Sequence, residues 1–158
     1  MIENLRQVSL IFLRKDDEIL LAMKKRGFGE GFFNGVGGKQ DPGETIEQTA
    51  IRECQEEINV TPKNLGKVAI INFYFVGKPE HDQQCHVYFC EEWDGEPTET
   101  EEMRPDWVNL ADIPYEKMWN DDIIWLPKVL EGEKLEADFR FDKDDEILDY
   151  SIKPMETE

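Results

Sequence analysis

Basic residues are scarce in this 158-residue chain: 18 Lys and Arg stand against 36 Asp and Glu, a formal net charge of −18. Such a surface repels the phosphate backbone of DNA and RNA and anionic lipid headgroups alike, so polymeric nucleic acid and membrane are not expected partners. A small anion arriving with a divalent cation is not excluded, because bound cations reverse the local field. Cysteine is scarce too. Cys54, Cys85 and Cys90 show no metal-type spacing and are odd in number, which argues against a disulfide framework and for reduced thiols. No apolar run approaches the roughly 18 residues of a membrane-spanning helix. The opening segment, MIENLRQVSLIFLRKDDE, has only a short apolar stretch, an acid at Glu3 and no small-residue cleavage site, unlike a signal peptide. His81 and His86 are too isolated to suggest a site, and His86 reads as a strand residue. The expectation is a cytoplasmic monomer.

What is present suffices for a core. With 39% hydrophobic and 11% aromatic residues, a chain of this length can bury about 70% of its unfolded surface. No repeat, linker or second composition zone interrupts it, so residues 1–158 are expected to form one α+β domain. Residues 8–13 and 19–23 are β-rich and flank a polar turn at Lys15-Asp16-Asp17, which predicts a hairpin. Six of the twelve residues in 27–38 are glycine, a composition that permits close or left-handed backbone. Beyond Pro42-Gly43, Ile46, Ala50, Cys54 and Ile58 recur every four residues, predicting a helix over 45–58 that Asn59 can end in the left-handed region. Strands are predicted over 68–76, 85–90 and 106–110, with further strands near 139–141 and 147–152. Asp121 is expected to cap a short helix running to about Leu130 through Pro127.

At 100° per residue, Glu53, Glu56 and Glu57 share an arc of about 100° opposite the buried stripe of the first helix. Like charges at these spacings cost an isolated helix about 0.2 to 0.5 kcal/mol per pair. Alone, the array is a solvated acidic face; oxygen-rich sites of this kind also suit Mg²⁺ or Mn²⁺. The surrounding spacing favours the second reading. Gly38, five residues, Glu44, seven residues, Arg52-Glu53-Cys54, one residue, Glu56-Glu57, one residue, Asn59-Val60 resembles the Nudix box, departing only where Asn59 stands for the usual glycine. The segments MKKRGFG (23–29), FNGVGGK (33–39), EEMRPDW (101–107), MWNDD (118–122) and ILDY (147–150) resemble the MutT-related branch of that family, whose members hydrolyse oxidised purine nucleoside triphosphates.

The resemblance implies an α/β/α sandwich with a mixed sheet. It also implies metal-dependent attack of water on an internal phosphorus, releasing nucleoside monophosphate and pyrophosphate. Carried over by motif position, the metal ligands are Glu53, Glu56, Glu57, Glu102 and the carbonyl of Gly37. The general base is a carboxylate of this cluster, Glu53 ahead of Glu57 and Glu102, and Arg52 orients Glu53 or Glu44. Substrate contacts fall on Lys24, Asn34, Gly37, Gly38, Lys39, Trp119, Asp121 and Asp122, with Ser9 replacing a family Thr and Phe73 in the pocket wall. Phe28, Phe75, Met103, Trp125 and Phe141 are further candidates for lining. Lys25 and Arg26 extend the basic run that can receive an anionic tail. A small nucleotide is therefore the expected partner. The competing readings are hydrolysis of another nucleoside diphosphate derivative, such as ADP-ribose or an unmodified triphosphate, and nucleotide sensing without turnover. The intact Arg52, Glu53, Glu56 and Glu57 argue against the last.

Overall fold

Alternation along the first strand decides the layering. In β1 (Arg6–Lys15), Val8 and Phe12 enter one apolar cluster while Ile11 and Leu13 enter another, because successive side chains of a strand point to opposite faces. The same division runs through β2 (Glu18–Lys24), where Ile19 and Leu21 oppose Leu20 and Ala22. Each face therefore needs a cover. One receives α1 (Ile46–Ile58) through Ala50, Cys54 and Ile58, and the other receives α2 (Asp122–Leu130) through Trp125, Leu126 and Val129. The result is the expected α/β/α arrangement. This computed structural model describes residues 5–27 and 29–156.

The remaining strands are β3 (Phe33–Asn34), β4 (Thr61–Lys63), β5 (Gly66–Phe75), β6 (Gln83–Cys90), β7 (Glu92–Asp94), β8 (Met103–Asn109), β9 (Leu135–Phe141) and β10 (Ile147–Pro154). The main sheet runs β10-β9-β5-β6-β1-β2-β3, with β8 also paired to β2. It is mixed: β1 lies parallel to β6 and β5 parallel to β9, while the other pairs are antiparallel. Short β4 and β7 pair apart from it. Among the described residues no helix is long and apolar enough to cross a membrane.

Both ends of α1 follow local chemistry. Thr45 and Gln48 form a reciprocal capping box. Asn59, at φ 62°, closes the far end by donating its N–H to Gln55. The second helix departs from expectation at its start. Asp121 already has helical backbone angles and its side chain caps nothing. Its carboxylate instead accepts the indole N–H of Trp125 at 2.7 Å. The helix continues through Pro127 to Leu130.

Candidate active site

The glycine-rich segment lies against β1. Ile11 and Val36 exchange backbone hydrogen bonds at 2.6 and 2.9 Å, and Ser9 N–H donates to the Gly38 carbonyl at 2.9 Å. At Gly37 the approach is too close for any other residue, since a Cβ there would overlap the Ser9 carbonyl; a Cβ on Gly38 would meet the end of the Glu53 side chain. This packing brings the loop onto the acidic face of α1, where the Gly37 N–H donates to Glu57 at 3.1 Å.

Arg52 organises that face. Its Nε and Nη2 grip both oxygens of Glu44 at 2.7 and 3.1 Å, Nη1 reaches Glu53 at 3.0 Å and Glu56 at 3.4 Å, and Nη2 also donates to the Lys39 carbonyl. The two-pronged grip belongs to Glu44, which the guanidinium, Asp41 N–H and Thr49 hydroxyl hold down at a pKa of about 2. Glu53 receives a single donor. Its pKa is raised, because burial outweighs the Arg52 bond and Glu56 and Glu102 repel it. Glu57, only 6% exposed, is pushed up to about 8 by burial and by Glu53, with the Gly37 N–H opposing. Glu56 and Glu102 stand more than half exposed.

As they stand, no three Asp, Glu, His or Cys side chains among the described residues are arranged to hold a metal ion by themselves. The donor set nevertheless suits a hard divalent cation. It is made of carboxylate oxygens, among them those of buried Glu57 and partly buried Glu53, which repel one another, and Mg²⁺ commonly takes only one or two protein carboxylates beside water and phosphate.

Beside this face opens a cavity of about 520 Å³. Gly37, Gly38, Lys39, Lys24 and Glu57 line the end against α1. Asn34, Phe73, Trp119, Asp121 and Asp122 line the rest, with Ser9, Phe75, Met103 and Phe141 also in the wall. All ten substrate-contact candidates thus share one cavity, although they come from β1, β2, β3, β5, the glycine segment and the start of α2. Glu53, Glu56, Arg52 and Glu102 lie outside its wall, on the α1 side. Phe28 falls outside the described residues. Trp125 does not line the cavity: it is 1% exposed in the core and acts through Asp121.

Among the described residues Asp121 and Asp122 are the most buried acids, 3% and 2% exposed. Asp121 is raised to about 6 by burial, against the Trp125 bond, and Asp122 is raised well above the usual range by burial and then by the Asp121 charge. The pair therefore holds a proton to higher pH than ordinary carboxyls do. The indole N–H stabilises charge on Asp121, so the proton resides on Asp122, which also accepts the Trp119 backbone N–H at 3.1 Å. Trp119 is set edge-on against Phe32 at 5.0 Å. Asn34 Oδ1 accepts from Gly35 N–H at 2.8 Å, which commits its oxygen and leaves the NH₂ as its available donor. The Ser9 hydroxyl, 3% exposed, has no hydrogen-bond partner among the described residues.

The basic run divides. Lys24 lines the cavity, whereas Lys25 pairs with Glu99 at 2.6 Å and Arg26 approaches Glu101 and Glu102 at 3.6 and 3.7 Å. Those two residues reach the loop bearing Glu102 and are absent from the cavity wall. His86 is the expected strand residue, lowered to about 4 by burial and Lys67 and bonded to Lys67 and Gln7. His81, assigned no site from sequence, lines the rim of the cavity with Arg6, Lys78 and Gln83. Nothing local in the sequence marks those rim residues or Phe32, because the contacts that place them join distant segments.

The chain is 43% identical over 152 residues to the oxidized purine nucleoside triphosphate hydrolase of Mus musculus, covering 96% of this chain and 97% of that one. It is 40% identical to the Danio rerio protein of the same name, covering 94% and 95%. The crystal structure of a mutator MutT protein from Bacillus halodurans superposes with a TM-score of 0.82 at 26% identity, covering 96% of this chain and all of that one. Residues 3–129 match the NUDIX domain, and the chain belongs to that family of hydrolases.

Proposed function

We propose that the protein hydrolyses oxidised purine nucleoside triphosphates of the 8-oxo-dGTP type to nucleoside monophosphate and pyrophosphate, with Mg²⁺ or Mn²⁺, and so clears damaged precursors from the cytoplasmic nucleotide pool. The observation that carries this reading is one cavity with two chemistries: a proton-sharing buried acid pair beside an indole face, and a glycine loop pressed onto an acidic helix. The names of the mouse and zebrafish relatives support it.

Glu53, Glu56, Glu57 and Glu102, with the Gly37 carbonyl, would hold the cation. A divalent cation bound there neutralises phosphate oxygens and acidifies water. Arg52 fixes Glu53 while leaving one of its oxygens unbonded to the guanidinium, and burial raises its pKa above the ordinary carboxylate value, which makes it a better proton acceptor, so we assign it the base. Glu57 already commits an oxygen to Gly37 N–H. Lys24 and Lys39 supply positive charge for the phosphates. Trp119 offers the stacking face for the purine. Ionised Asp121 accepts from the donors of a guanine edge, protonated Asp122 donates to its carbonyl, and the Asn34 NH₂ and the unpartnered Ser9 hydroxyl add donors.

The test is turnover of 8-oxo-dGTP with Mg²⁺ in ¹⁸O-labelled water, beside dGTP, dTTP and ADP-ribose. Preferential release of monophosphate and pyrophosphate from 8-oxo-dGTP is expected. Inorganic phosphate as the primary product, or faster turnover of ADP-ribose, would overturn the proposal.

A further inference from the structure

Glu102 approaches the acidic face of α1 from a loop on the far side of the sequence, and one hydroxyl joins the two. Thr100 Oγ1 donates to the backbone carbonyl of Glu57 at 2.8 Å, 43 residues away. The same oxygen accepts the N–H groups of Glu102 and Met103, both at 3.3 Å. One proton and two lone pairs are all that a threonine hydroxyl has, and each is used. The Glu57 carbonyl lies in the last turn of α1, where carbonyls lack a partner within the helix. Nearby, Thr98 N–H donates to the Ile58 carbonyl at 3.0 Å. The loop also meets Lys25, just past β2: its N–H donates to the Glu102 carbonyl at 2.9 Å, and its Nζ reaches Glu99 and the Thr100 carbonyl. That ion pair is partly exposed and adds little.

We propose that Thr100 is a positioning residue that sets the Glu102 carboxylate relative to Glu57, coupling the loop to the helix through its hydroxyl. The inference rests on the reading of Glu57 and Glu102 as cation-holding groups. It predicts that Thr100→Val, equal in volume but unable to bond, lets Glu102 swing away from α1.

The experiment uses the full chain. In metal-free protein, amide hydrogen exchange at Glu102 and Met103 should accelerate on the order of tenfold in Thr100→Val, and Thr100→Ser should restore it. The Mn²⁺ concentration giving half-maximal turnover should rise about tenfold, the low end for an outer-shell partner of a metal site, while KM for nucleotide at saturating Mn²⁺ stays unchanged. In a Glu102→Gln background, Thr100→Val should add nothing to the Mn²⁺ requirement. Should Thr100→Val fail to fold, Thr100→Ala carries the same measurements. Wild-type exchange and Mn²⁺ requirement in the variant, or a full additional loss on top of Glu102→Gln, would overturn the inference. If the wild-type protein turns over no nucleotide, the hydrolase reading fails separately, and exchange together with Mn²⁺ binding by water-proton relaxation still decides the role of Thr100.

Discussion

Asp122→Asn tests whether the buried acid pair holds a proton, and it does so through stability. Asp121 and Asp122 both titrate higher in the folded protein than in the unfolded chain, where each sits near 3.8. A raised acid contributes stability that is fully present below the unfolded value and is lost as pH rises toward the folded one. Each retained proton costs about 1.4 kcal/mol per pH unit. Between about pH 4 and 6 the wild-type pair should therefore lose stability more steeply than one raised acid alone, and above 6, where Asp121 has ionised, only Asp122 still contributes. Asparagine at 122 is neutral throughout and still offers an oxygen to the Trp119 N–H, so the variant should show one proton and then none. Glu57, raised to about 8, adds its own slope to both proteins and cancels in the difference. Urea denaturation at pH 4.5, 5.5, 6.5 and 7.5 should find the variant gaining on wild type as pH rises, by up to about 1.4 kcal/mol per unit. Parallel curves would show that Asp122 ionises freely, and the assignment of donor and acceptor within the pair would fall with it.

The parts of the site that sequence exposes are those set by short-range geometry. Thr45 with Gln48, and Asn59 tolerating the left-handed region, fix both ends of α1 within a few residues of themselves. The angular spacing of Glu53, Glu56 and Glu57 fixes their common face. What that spacing cannot supply is the environment: Glu57 becomes buried and Glu56 stays in water because the Gly37-Gly38 segment presses on one side of the face. Asp121 shows a local rule losing to a tertiary one. An Asp before a helix normally caps it, but here Trp125, one turn onward and buried, offers an indole N–H that needs an acceptor, and the carboxylate turns inward to it. The basic run divides where β2 ends: Lys24, its last residue, lines the cavity, while Lys25 and Arg26 beyond it meet Glu99, Glu101 and Glu102 of a distant loop that the local pattern does not reveal. Thr100 carries no comparable signal, because its link to Glu57 exists only after folding.

Glu53→Gln should lower kcat by at least about 10²-fold, the loss typical of a missing general base, with thermal stability maintained because burial already disfavours the charge; full activity in the variant or in excess chelator would refute the mechanism. Trp119→Ala should forfeit stacking worth about 1 to 3 kcal/mol, read as a loss of kcat/KM on 8-oxo-dGTP much larger than on dTTP, and Asp121→Asn should show the same selectivity; equal losses on both nucleotides would reassign these residues to the fold. Two glycine substitutions separate geometry at the reacting carboxylate from backbone strain. Gly132→Ala places a side chain at φ 102° with nothing within 4 Å, so it should cost about 1 to 2 kcal/mol of stability and leave kcat unchanged. Gly38→Ala does the reverse. Its φ lies outside the left-handed region, and its new methyl meets the end of the Glu53 side chain, which can swing aside at little cost to the fold. That swing breaks the bond to Arg52 and carries the carboxylate away from Glu57, so kcat should fall by about as much as in Glu53→Gln while the melting temperature barely moves. Wild-type kcat in Gly38→Ala, measured at saturating metal and nucleotide, would mean that the position of Glu53 is immaterial, and the base would have to be sought at Glu57 or Glu102.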